Sequence, residues 1–404
     1  VTTTPTLTQR PYGTLRDGRA VTEFTLDNGA GLRLSAINLG GIVTGLWVPD
    51  RFGVPANVVL GLRTLADYER RNPHMGTIVG RYANRIAQGR FMLDGKPVHV
   101  PPNDGPHALH GGPVGFGNRW WHITPVSGLA YGNVAIDLQL TSDHGDQGFP
   151  GRLDVTVRYT LTPDNAWCID YRATCDRTTV VNLSHHDYFN LAGRGSILGH
   201  RLTIAARLYC AVDAGLIPKG VESVAGKPFD FREPHAISER IGAPHPQILR
   251  ARGYDHNWLL DPPGSDGLRL AARLEDPVSG RTMEIVTTEP GIQFYSGNLL
   301  DGTLPDAHGE AIGQWNGLCL ESQHFPDSPN QPAFPSTVLH PGAVFLSRTL
   351  HRFGQRRSVL RTHETPEAGN APGPQSGPGA ECLSRDSTSR NRAIRLRRPA
   401  WRRA

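Results

Sequence analysis

Long apolar runs are missing from this 404-residue chain. No stretch approaches the about 18 consecutive apolar residues that a membrane-spanning helix needs. The segment Val1 to Gly18 carries polar threonines and arginines in place of an apolar signal core, so the expected location is the cytoplasm, or the periplasm had a leader been removed. Cysteine is scarce as well. The five (Cys168, Cys175, Cys210, Cys319, Cys382) are odd in number and never spaced CxxC, which argues against a disulfide framework and for reduced thiols. No GxxxxGK[ST] or GxGxxG follows a strand and opens a helix, and HxH and HExxH are absent. A nucleotide cofactor and a bound metal are therefore not expected.

Excess positive charge is missing once the chain is divided. The formal charge is +5, but residues 356–404 hold eleven arginines against four acids, a local +7. Residues 1–355 thus carry −2, without the broad basic face that nucleic acid requires. Sustained helical periodicity is missing too, with short candidates only at Thr64 to Arg71 and Ala236 to Ile241. The absence of alternating strands and long helices excludes a parallel α/β sheet.

What the chain has in abundance is glycine (46) and proline (33), about a fifth of all residues against a usual roughly 12%. Between these turn formers runs period-2 alternation. In Arg152 to Leu161, Leu153, Val155, Val157, Tyr159 and Leu161 share one face of a half-buried strand. Val134 to Leu140 alternates likewise across a loop rich in Asp, Gly and Pro, so the two should pair antiparallel. Phe24 to Leu26, Leu32 to Ala36, Ile42 to Val48, Leu268 to Leu274 and Thr282 to Thr287 read as further strands, with Asp27-Asn28-Gly29 as a hairpin signal. Residues 1–355 are expected to form one large all-β antiparallel β-sandwich with few short helices. Residues 356–404, rich in Pro, Gly, Ser and Arg, are expected to be a disordered basic tail.

Polar groups stand out where strands should be apolar. Gly80-Arg81-Tyr82-Ala83-Asn84-Arg85-Ile86 sets an amide beside a guanidinium. Leu109-His110-Gly111-Gly112 has two glycines that would let backbone approach a ligand closely. His186, Tyr254-Asp255-His256-Asn257, Gln293 and Glu321 complete the set. Each has an ordinary reading: a satisfied core histidine, a turn aspartate, a surface arginine. Glu321 is harder to dismiss, because Leu318-Cys319-Leu320 places it in a buried strand where a carboxylate needs partners or a raised pKa. Such a group suits a general base. His185 and His186 would face opposite ways on a strand, so they would not share one ion. Cys319 shares the face of Glu321 and reads as core packing.

Taken together, Gly80 to Ile86, Leu109 to Gly112, Asn182-Leu183-Ser184-His185-His186-Asp187-Tyr188-Phe189-Asn190-Leu191, Asp255-His256-Asn257, Pro290 to Asn298 and Glu321-Ser322-Gln323-His324-Phe325-Pro326-Asp327-Ser328-Pro329-Asn330 resemble the aldose 1-epimerase (galactose mutarotase) family in order and spacing. The resemblance covers residues 12 to 354. It implies a galactose mutarotase-like supersandwich and cofactor-independent interconversion of hexose anomers, with a monosaccharide substrate and neither nucleic acid nor membrane as a partner. By matching position, Glu321 would be the general base and His186 the general acid. His110 would assist near the ring oxygen, while Asn84, Arg85, Asp255 and Gln293 would hold hydroxyls. Protonated His186 would need support from an acid such as Asp255 or from hydrogen bonds made in the bound state. Phe149 is a candidate apolar face for the sugar ring, with loop packing as its ordinary reading. His185, Asp187 and Ser322 depart from the family's usual residues beside the expected catalytic ones.

Two other readings use the same residues. A sandwich-fold glycoside hydrolase would cast Glu321 and Asp255 as its two carboxylates, leaving the histidines unexplained. A sugar-binding protein without turnover would not need both His186 and Glu321.

Overall fold

A computed structural model describes residues 4–129 and 132–356. Three antiparallel sheets dominate. The first is a five-stranded meander in chain order, Thr6–Thr14, Ala20–Asp27, Arg33–Ile37, Val43–Pro49 and Pro55–Asn57. The second has nine strands, ordered His122–Pro125, Val134–Ser142, Leu153–Leu161, Ala166–Cys175, Phe345–Gln355, Arg281–Thr287, Arg269–Glu275, Arg201–Ile204 and His235–Ala236. The third has five, ordered Pro218–Ser223, Ala206–Val212, Asp255–Leu260, Gly291–Tyr295 and Cys319–Gln323. This is the expected all-β sandwich.

The alternation foreseen at Arg152 to Leu161 holds. Leu153, Val155, Val157, Tyr159 and Leu161 are buried, and Val134 pairs with Leu161 through to Ser142 with Leu153. Burying each large apolar side chain contributes about 1.5–3 kcal/mol, so register is set strongly: a one-residue slip would turn the whole set to solvent. The Asp27-Asn28-Gly29 signal marks a real hairpin, closed at Asp27 opposite Arg33. Its loop is longer than a two-residue turn because Asn28 Oδ1 accepts from the backbone N–H groups of both Ala30 and Leu32.

The helix expected at Thr64 to Arg71 forms over Leu65–Arg70, with Thr64 capping its start. The one expected at Ala236 to Ile241 shrinks to a 3-10 turn, Ile237–Glu239. Ala236 instead pairs with Arg201 at the edge of the nine-stranded sheet, while its N–H is taken by Glu239 Oε1. A second helix, Pro246–Ala251, starts on a proline and is capped by His245. Proline at the first helical turn loses no intrahelical bond, but flanked by Ala243-Pro244-His245 it reads as loop. No helix among the described residues is long and apolar enough to cross a membrane. The basic segment expected at 356–404 lies, apart from Arg356, outside the described residues.

The third sheet positions the site. Asn257, Gln293 and Glu321 stand in one register row, and Asp255, Tyr295 and Cys319 in the next. Side chains in these rows share one face, two residues apart along each strand. The intervening Phe294 and Leu320, and Trp258 beyond Asn257, turn the other way into the hydrophobic core. One face of three strands is therefore apolar and the other polar, although both are buried.

Candidate active site

The polar face of this sheet floors a cavity of about 150 Å³, walled by Asn84, Arg85, His110, His186, Asp255 and Glu321 together with His74 and several apolar side chains. His186 comes from the short strand Ser184–His186, which pairs with Thr77–Val79 and is tied to the floor by Ser184 Oγ donating to Ser322 O. As expected for a strand, His185 faces away. Its Nε2 meets the Tyr159 hydroxyl at 2.6 Å, and its Nδ1 lies 2.7 Å from Asp187 Oδ2. The two departures at 185 and 187 thus contact each other behind the site.

His186 Nε2 and Glu321 Oε1 are 3.8 Å apart, and Glu321 Oε2 is buried with no hydrogen-bond partner. Burial pushes the Glu321 carboxyl well above its ordinary pKa; the charge of Asp255 adds to this and the Arg85 guanidinium opposes it. Burial also drives His186 well below the usual imidazole value, with His74 adding to the effect. In the unliganded site desolvation outweighs any support from an acid such as Asp255, which leaves hydrogen bonding in the bound state as the expected support for imidazolium. On its other edge, His186 Nδ1 is 3.5 Å from Cys319 Sγ. Cys319 is fully buried and burial pushes its thiol pKa well up.

His110 is oriented from behind. The backbone N–H of Asn84 donates to His110 Nδ1 at 3.2 Å, so the neutral ring carries its proton on Nε2. Burial pushes its pKa well down, with His74, His186 and Arg85 contributing. His110, Gly111 and Gly112 have φ of 51°, 87° and 93°. The close approach of Gly111 is to backbone, since a Cβ there would lie 2.2 Å from Gly80 O, while Gly112 lies against the side chains of Gln147 and Val100. Gly111 thus seats the Leu109-His110 segment on Gly80-Arg81.

Arg85 Nε donates to Asp104 Oδ2 at 2.8 Å, and its Nη1 lies 3.8 Å from Asp255 Oδ2. Asp255 Oδ1 accepts from Gln293 Nε2 at 2.6 Å. Its carboxyl pKa is raised by burial and pulled back by Arg85 and Gln293. Gln293 holds Asp255 from the adjacent strand through its Nε2, while its Oε1 is buried without a protein hydrogen-bond partner among the described residues. Phe149 is a second correction. It is 1% exposed and packs with Tyr82, Ile86, Phe91 and Val100 in a separate apolar cluster, so the loop-packing reading is the right one.

His74, absent from the expected site, lines the cavity on the turn after the first helix. Its ring centroid is 4.6 Å from that of His110 and 5.7 Å from that of His186. Nothing in Asn72-Pro73-His74-Met75-Gly76 signals a functional group, since the turn is brought here by the pairing of Thr77–Val79 with the His186 strand. The reacting atoms of His110, His186 and Glu321 lie within 4.8 Å of one another, a grouping that could also hold a metal ion.

The aldose 1-epimerase family model matches residues 22–352. A rat galactose mutarotase is 42% identical over 352 residues, covering 86% of this chain and 98% of the relative. An aldose 1-epimerase of Escherichia coli K12 is 40% identical over 341 residues, covering 83% and 96%. Among solved structures, a galactose 1-epimerase from Lactobacillus acidophilus NCFM superposes with a TM-score of 0.76 at 27% identity, covering 87% of this chain and 99% of that one. A GalM/aldose epimerase homologue from C. elegans gives 0.74 at 28% identity, covering 81% and 97%.

Proposed function

The chain belongs to the aldose 1-epimerase family, and from that premise we propose that its buried acid–base pair interconverts the α and β anomers of hexoses such as galactose and glucose. The observation that carries this reading is the approach of His186 Nε2 to Glu321 Oε1 within one sugar-sized cavity. Glu321, as carboxylate, takes the proton from the C1 hydroxyl. His186, as imidazolium, donates to the ring oxygen, and the C1–ring oxygen bond breaks to leave the free aldehyde. Rotation about C1–C2 presents the other face of the carbonyl. Reversal of both transfers closes the opposite anomer and returns the protons.

The pair shares one proton over a broad pH range. Burial favours the uncharged arrangement, with Glu321 protonated and His186 neutral. The charge-separated arrangement is the productive one, and it carries the same number of protons, so the two exchange without any change of pH. Bound hydroxyl and ring oxygen supply hydrogen bonds to the charged forms and favour that exchange. His110, with its proton on Nε2, donates beside the ring oxygen, and Asn84, Arg85 and Asp255 bind hydroxyls. Asp255 is held by Gln293 and lies near Arg85, which suits a fixed acceptor rather than a second catalytic carboxylate of a glycosidase. Proton transfer of this kind uses side chains alone.

Polarimetry of freshly dissolved α-D-galactose and α-D-glucose tests the reading. The protein should bring each to anomeric equilibrium much faster than buffer. Equilibration at the buffer rate for every aldose tried would overturn it.

A further inference from the structure

His74 has no task in the reaction above, yet it sits in the cavity with both ring nitrogens free of any protein hydrogen bond among the described residues; only its backbone carbonyl is used, by Thr77. The other charged and polar groups of the cavity already have a role in the reaction above. Of the remaining lining, Tyr188 spends its hydroxyl proton on Pro73 O, the Tyr295 hydroxyl accepts from Leu299 N–H, and Pro73, Leu299 and Leu300 are apolar. A free imidazole among them is placed to meet a hydroxyl.

His110, His186 and Glu321 form a triplet around the reacting centre, and His74 is not part of it. His74 packs against the two histidines, edge-on to His110 and tilted to His186. With Glu321 on the C1 side and the histidines at the ring oxygen, the ring oxygen's other neighbour is C5. His74, outside the triplet and in contact with both histidines, is the free group available to C5 and its exocyclic C6.

Resting on the mutarotase reading, we propose that His74 receives the C6 hydroxyl of the bound sugar and makes the enzyme select hexoses over 6-deoxyhexoses and pentoses. His74 touches no atom whose bonds change, so its effect belongs in KM rather than kcat. One neutral hydrogen bond corresponds to about a two- to twelvefold preference.

The test compares mutarotation of D-galactose, 6-deoxy-D-galactose and L-arabinose, which matches D-galactose at the ring carbons but lacks C6. Wild type should favour galactose about two- to twelvefold in kcat/KM, carried by KM. His74→Phe, which keeps ring shape without nitrogens, should bring the three sugars close to parity. His74→Gln, which restores a polar tip at similar reach, should recover part of the preference. Turnover of 6-deoxy-D-galactose by each variant reports that the site is folded. If wild type turns over all three sugars equally, if His74→Phe keeps the wild-type preference, or if it loses activity on all three in the same proportion, the assignment is wrong while the mutarotase reading stands. If wild type accelerates none of them, both fail.

Discussion

Glu321 and His186 face each other at 3.8 Å although they arrive from different strands and 135 residues separate them in the chain. Each is buried, and desolvation pushes each toward its uncharged form. Removing the carboxylate while keeping its shape tests the base directly. Glu321→Gln should lower kcat for galactose mutarotation by about 10² to 10⁴, with the thermal midpoint little changed, since burial already favours the uncharged carboxyl and the amide keeps its shape. A variant retaining more than a tenth of wild-type kcat would remove Glu321 from the mechanism.

The pH profile should be bell-shaped, because turnover requires one proton on the pair. As pH falls, activity is lost when His186 takes up a second proton; its lowered pKa puts this limb below the ordinary imidazole value of 6.5. As pH rises, activity is lost when Glu321 gives up the last proton; its raised pKa puts that limb above the ordinary 4.5. Rates of kcat/KM across about pH 4 to 10, corrected for buffer catalysis, give both limbs as properties of the pair. A flat profile would contradict the shared-proton mechanism.

Gln293 acts through Asp255, whose Oδ1 it holds at 2.6 Å. Gln293→Leu should leave that carboxylate oxygen to turn away from the sugar, raising KM by about 2- to 12-fold, the worth of one hydrogen bond. Because its Nε2 acts on Asp255 rather than on the reacting pair, kcat should change less than KM. Steady-state kinetics separate the two, and a kcat loss exceeding the KM change would assign Gln293 a direct role.

Phe149 belongs to a packed cluster. Phe149→Ala should cost about 3–5 kcal/mol of stability through the cavity it leaves, measured by denaturant unfolding. KM for galactose at a temperature where the variant is folded should match wild type. A several-fold rise in KM with little loss of stability would restore the stacking role.

A chain ending after Arg356 should keep both solubility and mutarotation. Gln355 still pairs with Arg281 at the end of two central strands of the nine-stranded sheet, and Arg356 N donates to Gly280 O, so the cut belongs after these residues. Loss of activity on this truncation, measured by polarimetry, would give the 357–404 segment a part in the enzyme.

Much of the site was legible because strand alternation makes a buried polar residue conspicuous. Glu321 stood out between Cys319-Leu320 and Ser322, and the opposite facing of His185 and His186 followed from a period of two. Other calls needed contacts that no period reports. Phe149 sits in a loop, where sequence spacing says nothing about which way a ring turns. The protonation state of His186 depended on how deeply the finished fold buries it. His74 lies in a turn whose place beside the site depends on a pairing more than a hundred residues away in sequence, Ile78 with His185.

Sequence alone determined the sandwich, its principal strands and the identity of most polar groups on the inner face, since alternation and turn chemistry are local properties of the chain. Tertiary structure decided which of those groups meet. Distance, burial and hydrogen-bond partners arise only when remote strands pack. Those three quantities set a carboxylate and an imidazole 3.8 Å apart, tied Gln293 to Asp255, sent Phe149 into a packed cluster and brought His74 into the cavity.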